Sequence, residues 1–151
     1  MSRHILLDSS PLGVLTNPAS SVEVIAINKW ARACLAAGHH LYVPEVIDYE
    51  LRRELLRAGK TPGIALLDGL KTLCDYLPIT TSAILRAAEL WAMARRTGVP
   101  TGDPKKLDID VILAAQALTL LVPPTAVIVA TANVSHISRF VSADLWTKIT
   151  P

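Results

Sequence analysis

Short strand-like runs alternate with longer helical ones along this chain, and that alternation restricts its fold more than any other feature. "HILLD" (4–8) is a leucine and β-branched run ending in an acid, "HHLYVP" (39–44) is ended by Pro44, and "AVIVATANV" (126–134) closes in small and polar residues. Between them lie patterns of helical period. "SVEVIAINKWARACLAA" (21–37) stops at Gly38, and "PEVIDYELRRELLRAGK" (44–60) puts Val46, Ile47, Leu51, Leu55 and Leu56 on one broad face behind a proline in its first turn. "TPGIALLDGLKTLCDYLP" (61–78) reads as a further helix with Thr61 as cap, closed by an extended piece at Ile79 and Thr80. "TSAILRAAELWAMARRTG" (81–98) is an alanine-rich helix ended by Gly98. "SSPLG" reads as a turn, "VPTGDPKKL" (99–107) as a polar loop, "SHISRF" (135–140) as a short helix and "LWTKI" (145–149) as a last strand. Such an order predicts an α/β domain with a mostly parallel central sheet covered by helices on both sides.

The 151 residues suit one domain, 1–151, and their 51% apolar content is ample for its core. Mean hydropathy is high, at +0.39. The longest apolar region, Val111 to Val134, is nonetheless interrupted by Gln116, by threonines and by Pro123-Pro124, which excludes a clean membrane span. The opening "MSRHILLDSS" lacks the apolar run and small-residue cleavage site of a secretory signal, so the expectation is a cytoplasmic protein. The apolar excess predicts that some surface is covered in a dimer or by a partner. Cys34 and Cys74 read as buried thiols, and His4, His39, His40 and His136 form no zinc-binding spacing. A formal net charge of +2 identifies no nucleic-acid binder by itself.

Chemistry concentrates in the acids. In parallel sheets ligands bind beyond the carboxyl ends of the strands, where Asp8 and Asn133 are expected. Glu50 lies inside the helix after the second strand. In "LDIDVILAAQAL" (107–118) Asp110 shares a helical face with Ala114 and Ala117, and these small residues would let the helix approach the sheet. Asp108, two residues earlier, points elsewhere and is expected to cap the helix or to support the site from behind, and Ser9, which follows Asp8, is expected to support the site from behind. Singly, each acid has a plain explanation: Asp110 in a first turn favours the helix dipole, and Glu50 has Arg53 three residues on as an exposed partner. Asp8 is harder to dismiss, because an acid ending a buried strand is costly unless it lies in a cleft, is paired or binds a cation. Three carboxylates and an amide converging on one sheet edge, with no nearby His or Cys, suit a hard divalent cation, Mg²⁺ or Mn²⁺, held through oxygen. A cation so held can activate water for phosphodiester hydrolysis.

Four segments in order resemble the PIN-domain ribonucleases, and among them the VapC-type toxins of prokaryotic toxin–antitoxin pairs. "ILLDSSPLG" is similar to the family's first strand with its first acid, Asp8, and "VPEVIDYELRREL" to the helix carrying the second, Glu50. "DIDVILAAQAL" is similar to the third acidic segment, with Asp110, and "VIVATANVSHISRFV" to the last, a strand ending in Thr before Asn or Asp. The resemblance spans nearly the whole chain. It implies a three-layer α/β/α PIN-like fold, a Mg²⁺ or Mn²⁺ site, endonucleolytic cleavage of RNA, a homodimer and a small cognate antitoxin. In those terms Asp8, Glu50 and Asp110 are catalytic residues and metal ligands, with Asn133 assisting through its amide oxygen where many relatives carry a fourth acid. His136 stands where relatives have an acid or a histidine. RNA is a polyanion, and among its basic residues Arg53, Lys105 and Lys106 are the expected phosphate contacts.

Two rival readings stay open. A degenerate PIN module would bind RNA or a protein partner without cutting, and Asn133 in place of an acid is its support. A small-molecule α/β phosphatase or nucleotide binder is weaker, since the chain has no glycine-rich phosphate loop and no DxD arrangement at Asp8.

Overall fold

The computed structural model describes residues 2–98 and 104–151. Among these residues the chain forms five strands and seven α-helices. In order they are β1 (His4–Leu7), α1 (Ser9–Leu15), α2 (Val22–Ala36), β2 (His40–Pro44), α3 (Glu45–Arg57), α4 (Thr61–Gly69), β3 (Asp75–Leu77), α5 (Thr81–Arg96), α6 (Pro104–Leu118), β4 (Val127–Ala130), α7 (Val134–Ile137) and β5 (Ala143–Asp144). All strand pairs are parallel, in the order β3-β2-β1-β4-β5. Successive strand side chains point to opposite faces, so the complete burial of Ile5, Leu6 and Leu7 in β1 requires cover on both. This is the expected three-layer α/β/α arrangement. The chain builds outward from β1 in one direction to β2 and β3, then returns to add β4 and β5 on the other side, which makes the gap between the β1 and β4 carboxyl ends a topological switch point.

Strong local signals produce the elements they predict. Ser21 and Thr80 cap α2 and α5 by accepting from the amides of Val24 and Ala83, and Gly38 and Gly98, with φ of 87° and 66°, take the left-handed conformation just past α2 and α5. Cys34 and Cys74 are free and buried, and burial raises both thiols to about 11. The histidines His4 and His40 stack with centroids 4.8 Å apart at the starts of β1 and β2, the end of the sheet remote from Asp8. No described helix is long and apolar enough to cross a membrane.

Four segments differ from the sequence expectation. "SSPLG" is not a turn but the start of α1, because the Asp8 carboxylate caps it and Pro11, Leu12 and Leu15 bury against the core. The helix expected over 61–78 stops at Gly69, and after a 3₁₀ turn the chain forms β3, pairing Asp75, Tyr76 and Leu77 with Tyr42, Val43 and Pro44. The last strand is Ala143–Asp144, two residues that pair with Val129 and Ala130, whereas Trp146–Lys148 is a 3₁₀ turn. That turn is held in part by the Trp30 indole N–H, which donates to the Ile149 carbonyl at 2.8 Å. The polar loop expected over 99–107 lies outside the described residues as far as 103, and from Pro104 it is already helix.

The earlier start of α6 changes the reading of its acids. Asp110 stands in the second turn rather than the first, and Asp108 is an exposed residue inside the helix rather than its cap. Helix α6 is buried on most of its circumference. Leu107, Val111, Ala114 and Ala115 pack against Ala83, Ala87, Leu90 and Ala94 of α5, while Ile109, Leu113 and Ala117 join the core around the sheet. The alanine face is therefore divided, with Ala117 toward the sheet core and Ala114 toward α5. Gln116, also buried, fixes the third neighbour: its Nε2 donates to the Leu77 carbonyl at 2.8 Å and its Oε1 accepts from the Val46 amide at 3.5 Å.

Candidate functional site

The β1–β4 register decides where the first acid stands. Leu7 pairs with Ala130, so Asp8 and Thr131 leave the sheet side by side at the switch point. Asp8 is 3% exposed and Thr131 1%. The Thr131 hydroxyl donates to Asp8 Oδ2 at 2.7 Å, and the Ser9 amide donates to Asp8 Oδ1 at 2.7 Å. Both carboxylate oxygens are thereby oriented, with Ser9 acting through its backbone. The Asp8 amide in turn donates to the Ala130 carbonyl at 3.0 Å, which ties the acid to the end of the sheet ladder.

Helices α3 and α6 bring the other two acids to this point. Glu50 on α3, its side chain 14% exposed, receives the Lys106 ammonium at 3.1 and 3.4 Å. The same ammonium lies 3.9 Å from Asp110 Oδ1, one turn along α6. Asp110 is 2% exposed, and its Oδ1 is buried without a hydrogen-bond partner. Burial pushes its carboxyl up to about 6, reinforced by the charges of Asp8 and Glu50 and opposed by Lys106 and Arg139. Burial works against the Lys106 charge, yet Asp8, Glu50 and Asp110 together hold the amine above its ordinary range. The three acids thus share one electrostatic environment, and the expected ion pair of Glu50 with Arg53 is replaced by one with Lys106.

The remaining expected site residues are distributed around this centre. The Asn133 backbone amide donates to Thr131 Oγ1 at 2.9 Å, while its side-chain nitrogen donates to His136 Nδ1 at 3.2 Å. Its amide is engaged at the start of α7 with His136. Arg53 is exposed, stacks over the Tyr49 ring at 5.0 Å and lines a groove between α3 and α6 with Tyr49, Lys105, Asp108 and Ile109. Asp108 opens into that groove instead of backing Asp110. Lys106 belongs to the acids. Two residues emerge that the sequence reading had not placed at the centre: Thr131, signalled only as the end of a strand, and Arg139. Arg139 Nε donates to the His136 carbonyl at 3.0 Å, its guanidinium lies over the Phe140 ring at 5.1 Å, its Nη1 and Nη2 are buried without hydrogen-bond partners, and its charge is felt at Asp110.

No family model matches the sequence, and no curated protein matches it significantly. Solved structures do match. A chain of VapBC2 from Rickettsia felis, solved bound to a DNA fragment from their promoter, superposes with a TM-score of 0.69 over 95% of this chain and 98% of that one, at 13% identity. The chain has a PIN-like fold. FitAcB from Neisseria gonorrhoeae matches at a TM-score of 0.65 and 18% identity over 96% and 99% of the two chains, and VapBC-1 from nontypeable Haemophilus influenzae at 0.64 and 17% over 96% and 99%. Near-complete coverage in both directions means that the PIN-like fold accounts for the sheet, the helices around it and the carboxyl edge at which the acids meet.

The donor chemistry of that edge fits a hard cation. The three acids offer only carboxylate oxygens, Asn133 would add an amide oxygen, and Asp110 Oδ1 is a buried acceptor with no hydrogen-bond donor. Among the described residues no group of three His, Cys, Asp or Glu side chains is arranged to hold an ion as it stands. An ammonium lies between two of the three acids instead.

Proposed function

We propose that this chain is a divalent-cation-dependent endoribonuclease, the toxin of a toxin–antitoxin pair. The observation that carries the reading is the buried Asp110 Oδ1, which accepts no hydrogen bond, beside Asp8 and Glu50 at the switch point of a PIN-like sheet. In this reading Asp8, Glu50 and Asp110 would hold Mg²⁺ or Mn²⁺ through oxygen, and the ion would supply orientation of water and stabilisation of negative charge on the phosphoryl oxygens. Thr131 and the Ser9 amide keep Asp8 in one rotamer, which reduces the reorganisation that ion binding demands. Hydrolysis forms one P–O bond to water and breaks one to the leaving ribose oxygen, and no covalent enzyme intermediate is needed. Arg53 and Lys105, on the groove between α3 and α6, are the proposed phosphate contacts, and the exposed Tyr49 ring beside Arg53 offers a face on which a base can stack. Lys106 leaves that list in the form in which it stands, because its ammonium is committed to Glu50.

A cognate antitoxin is supported by the matched VapBC complexes, and a dimer by the exposed Ile84, Leu85, Trp91 and Met93 of α5. Asp8→Ala and Asp110→Ala should each abolish Mg²⁺- or Mn²⁺-dependent cleavage of total RNA while circular dichroism shows a folded chain. Cleavage by either variant equal to the parent's, with contaminating nuclease excluded, refutes the assignment. A second reading, a PIN-like module that binds RNA without cutting it, is favoured by one observation, the engagement of Asn133 with His136 in place of a fourth acid. Retained affinity for RNA with no hydrolysis in either metal would decide for it.

A further inference from the structure

Lys106 is rooted on the same helix as Asp110, four residues before it, so both side chains project from one face of α6. Its ammonium reaches across to α3 and contacts both oxygens of Glu50, 56 residues away in sequence, while remaining 3.9 Å from Asp110 Oδ1. Its charge is also coupled to Asp8. One monovalent cation therefore contacts Glu50, lies beside Asp110 and is within electrostatic reach of Asp8. The other cation felt by Asp110, Arg139, is tethered through Nε to the His136 carbonyl and makes no hydrogen bond with the acids. Lys106 is different in kind. Its side chain retains 30% exposure, four rotatable bonds and a route to solvent, so it can withdraw without unfolding a helix.

We propose that Lys106 is an internal counter-cation of the acidic cleft, its ammonium occupying the space between Glu50 and Asp110 that a divalent ion needs, so that the ion binds only as Lys106 leaves. The inference rests on the reading of Asp8, Glu50 and Asp110 as a cation site. It explains two observations together. The acids are not arranged around a common point, because Glu50 is turned to the ammonium. Three carboxylates can also stand together at low exposure, because a positive charge offsets their repulsion. Binding of a divalent ion must then replace the Lys106–Glu50 contact and overcome repulsion by the ammonium until it has moved. Apparent metal affinity is lowered accordingly, as for any ligand whose competent state is only partly populated.

The test is a Mn²⁺ titration of the full chain, with free Mn²⁺ read by electron paramagnetic resonance and no RNA present. Lys106→Met keeps the apolar stem and loses the charge, and Lys106→Gln is a second, polar variant. Both should bind Mn²⁺ roughly tenfold more tightly than the parent, the scale of one lost partly buried ion pair. Lys29→Ala removes the same charge from an exposed position on α2 and should change affinity by less than about twofold in moderate salt. The rise in melting temperature on adding Mn²⁺ should be larger for the two Lys106 variants than for the parent, which also shows that they fold. Parent binding with no gain in either Lys106 variant overturns the counter-cation role and leaves the cation site standing. Absence of Mn²⁺ binding in the parent and both variants, or undiminished binding in Asp110→Asn, overturns the cation site and this inference with it.

Discussion

Asp110→Asn should make the metal-free protein more stable and the site inert. A carboxyl held at about 6, against an ordinary 3.8, is harder to ionise in the folded chain than in the unfolded one. Between those values the native state binds more protons than the unfolded state, so stability falls as pH rises through that window and stays low above it. The cost once Asp110 is ionised is about 3 kcal/mol. Asparagine is a neutral isostere and has no charge to bury, so at pH 7.5 in EDTA the variant should gain on the order of 2–3 kcal/mol, which for a chain of this size is roughly 5–10 °C in melting temperature. At pH 4.5 Asp110 in the parent is largely protonated when folded, and most of the gain should vanish. Thermal unfolding of both proteins at the two pH values is the assay, with Mn²⁺ titration of the same samples showing loss of binding in the variant. A variant no more stable than the parent at pH 7.5, or a gain that does not change between pH 4.5 and 7.5, refutes the argument that the buried charge of Asp110 is what the fold sustains.

Thr131→Val keeps the shape at the end of β4 but leaves Asp8 Oδ2 and the Asn133 amide without their partner. It should cost about 1–2 kcal/mol in urea unfolding, and it should weaken Mn²⁺ binding in the same titration, with Thr131→Ser restoring both. Arg52→Met removes the guanidinium that pairs with Asp48 at 2.7 and 3.2 Å and with Asp68 at 2.7 Å. Because Asp48 is buried and Asp68 exposed, the loss should be about 3 kcal/mol, read by urea unfolding, and Asp48→Asn in the same chain should recover a large part of it.

What could be read in the sequence is what is encoded within one or two turns. Strands β1, β2 and β4 are continuous apolar runs, and α2 and α5 carry a capping hydroxyl before them and a glycine after. The misread segments depend on contacts that their own periodicity does not carry. Strand β3 is three residues with no period of their own, and it is a strand because the edge of β2 offers Tyr42 to Pro44 as partners. Helix α1 carries a serine pair, a proline and a glycine, and it forms because Asp8 caps it and three of its side chains reach the core. The start of α6 was obscured by two lysines that looked like loop and are helix.

The same division runs through the candidate site. Asp8 and Asp110 are conspicuous as acids in apolar surroundings and Glu50, in a charged helix, is singled out by the family resemblance, so their types and elements are visible in one dimension. Their relation to one another is not, since it is fixed by the parallel register of β1 against β4 and by the approach of α6 to α3 through Gln116. A slip of one residue in the Leu7–Ala130 pairing would separate Asp8 from Thr131 and, because both faces of β1 are covered, carry either His4 or Asp8 into a buried register position now held by Ile5 or Leu7. The limited length of the buried apolar run in β1 therefore enforces the position of the acid at its end. Lys106 shows the limit of the one-dimensional view most clearly. As a sequence feature it is one more cation beside Lys105, suited to a phosphate. Its partners lie on a different helix and one turn ahead on its own, and only their convergence makes it the charge that allows three acids to occupy a buried edge.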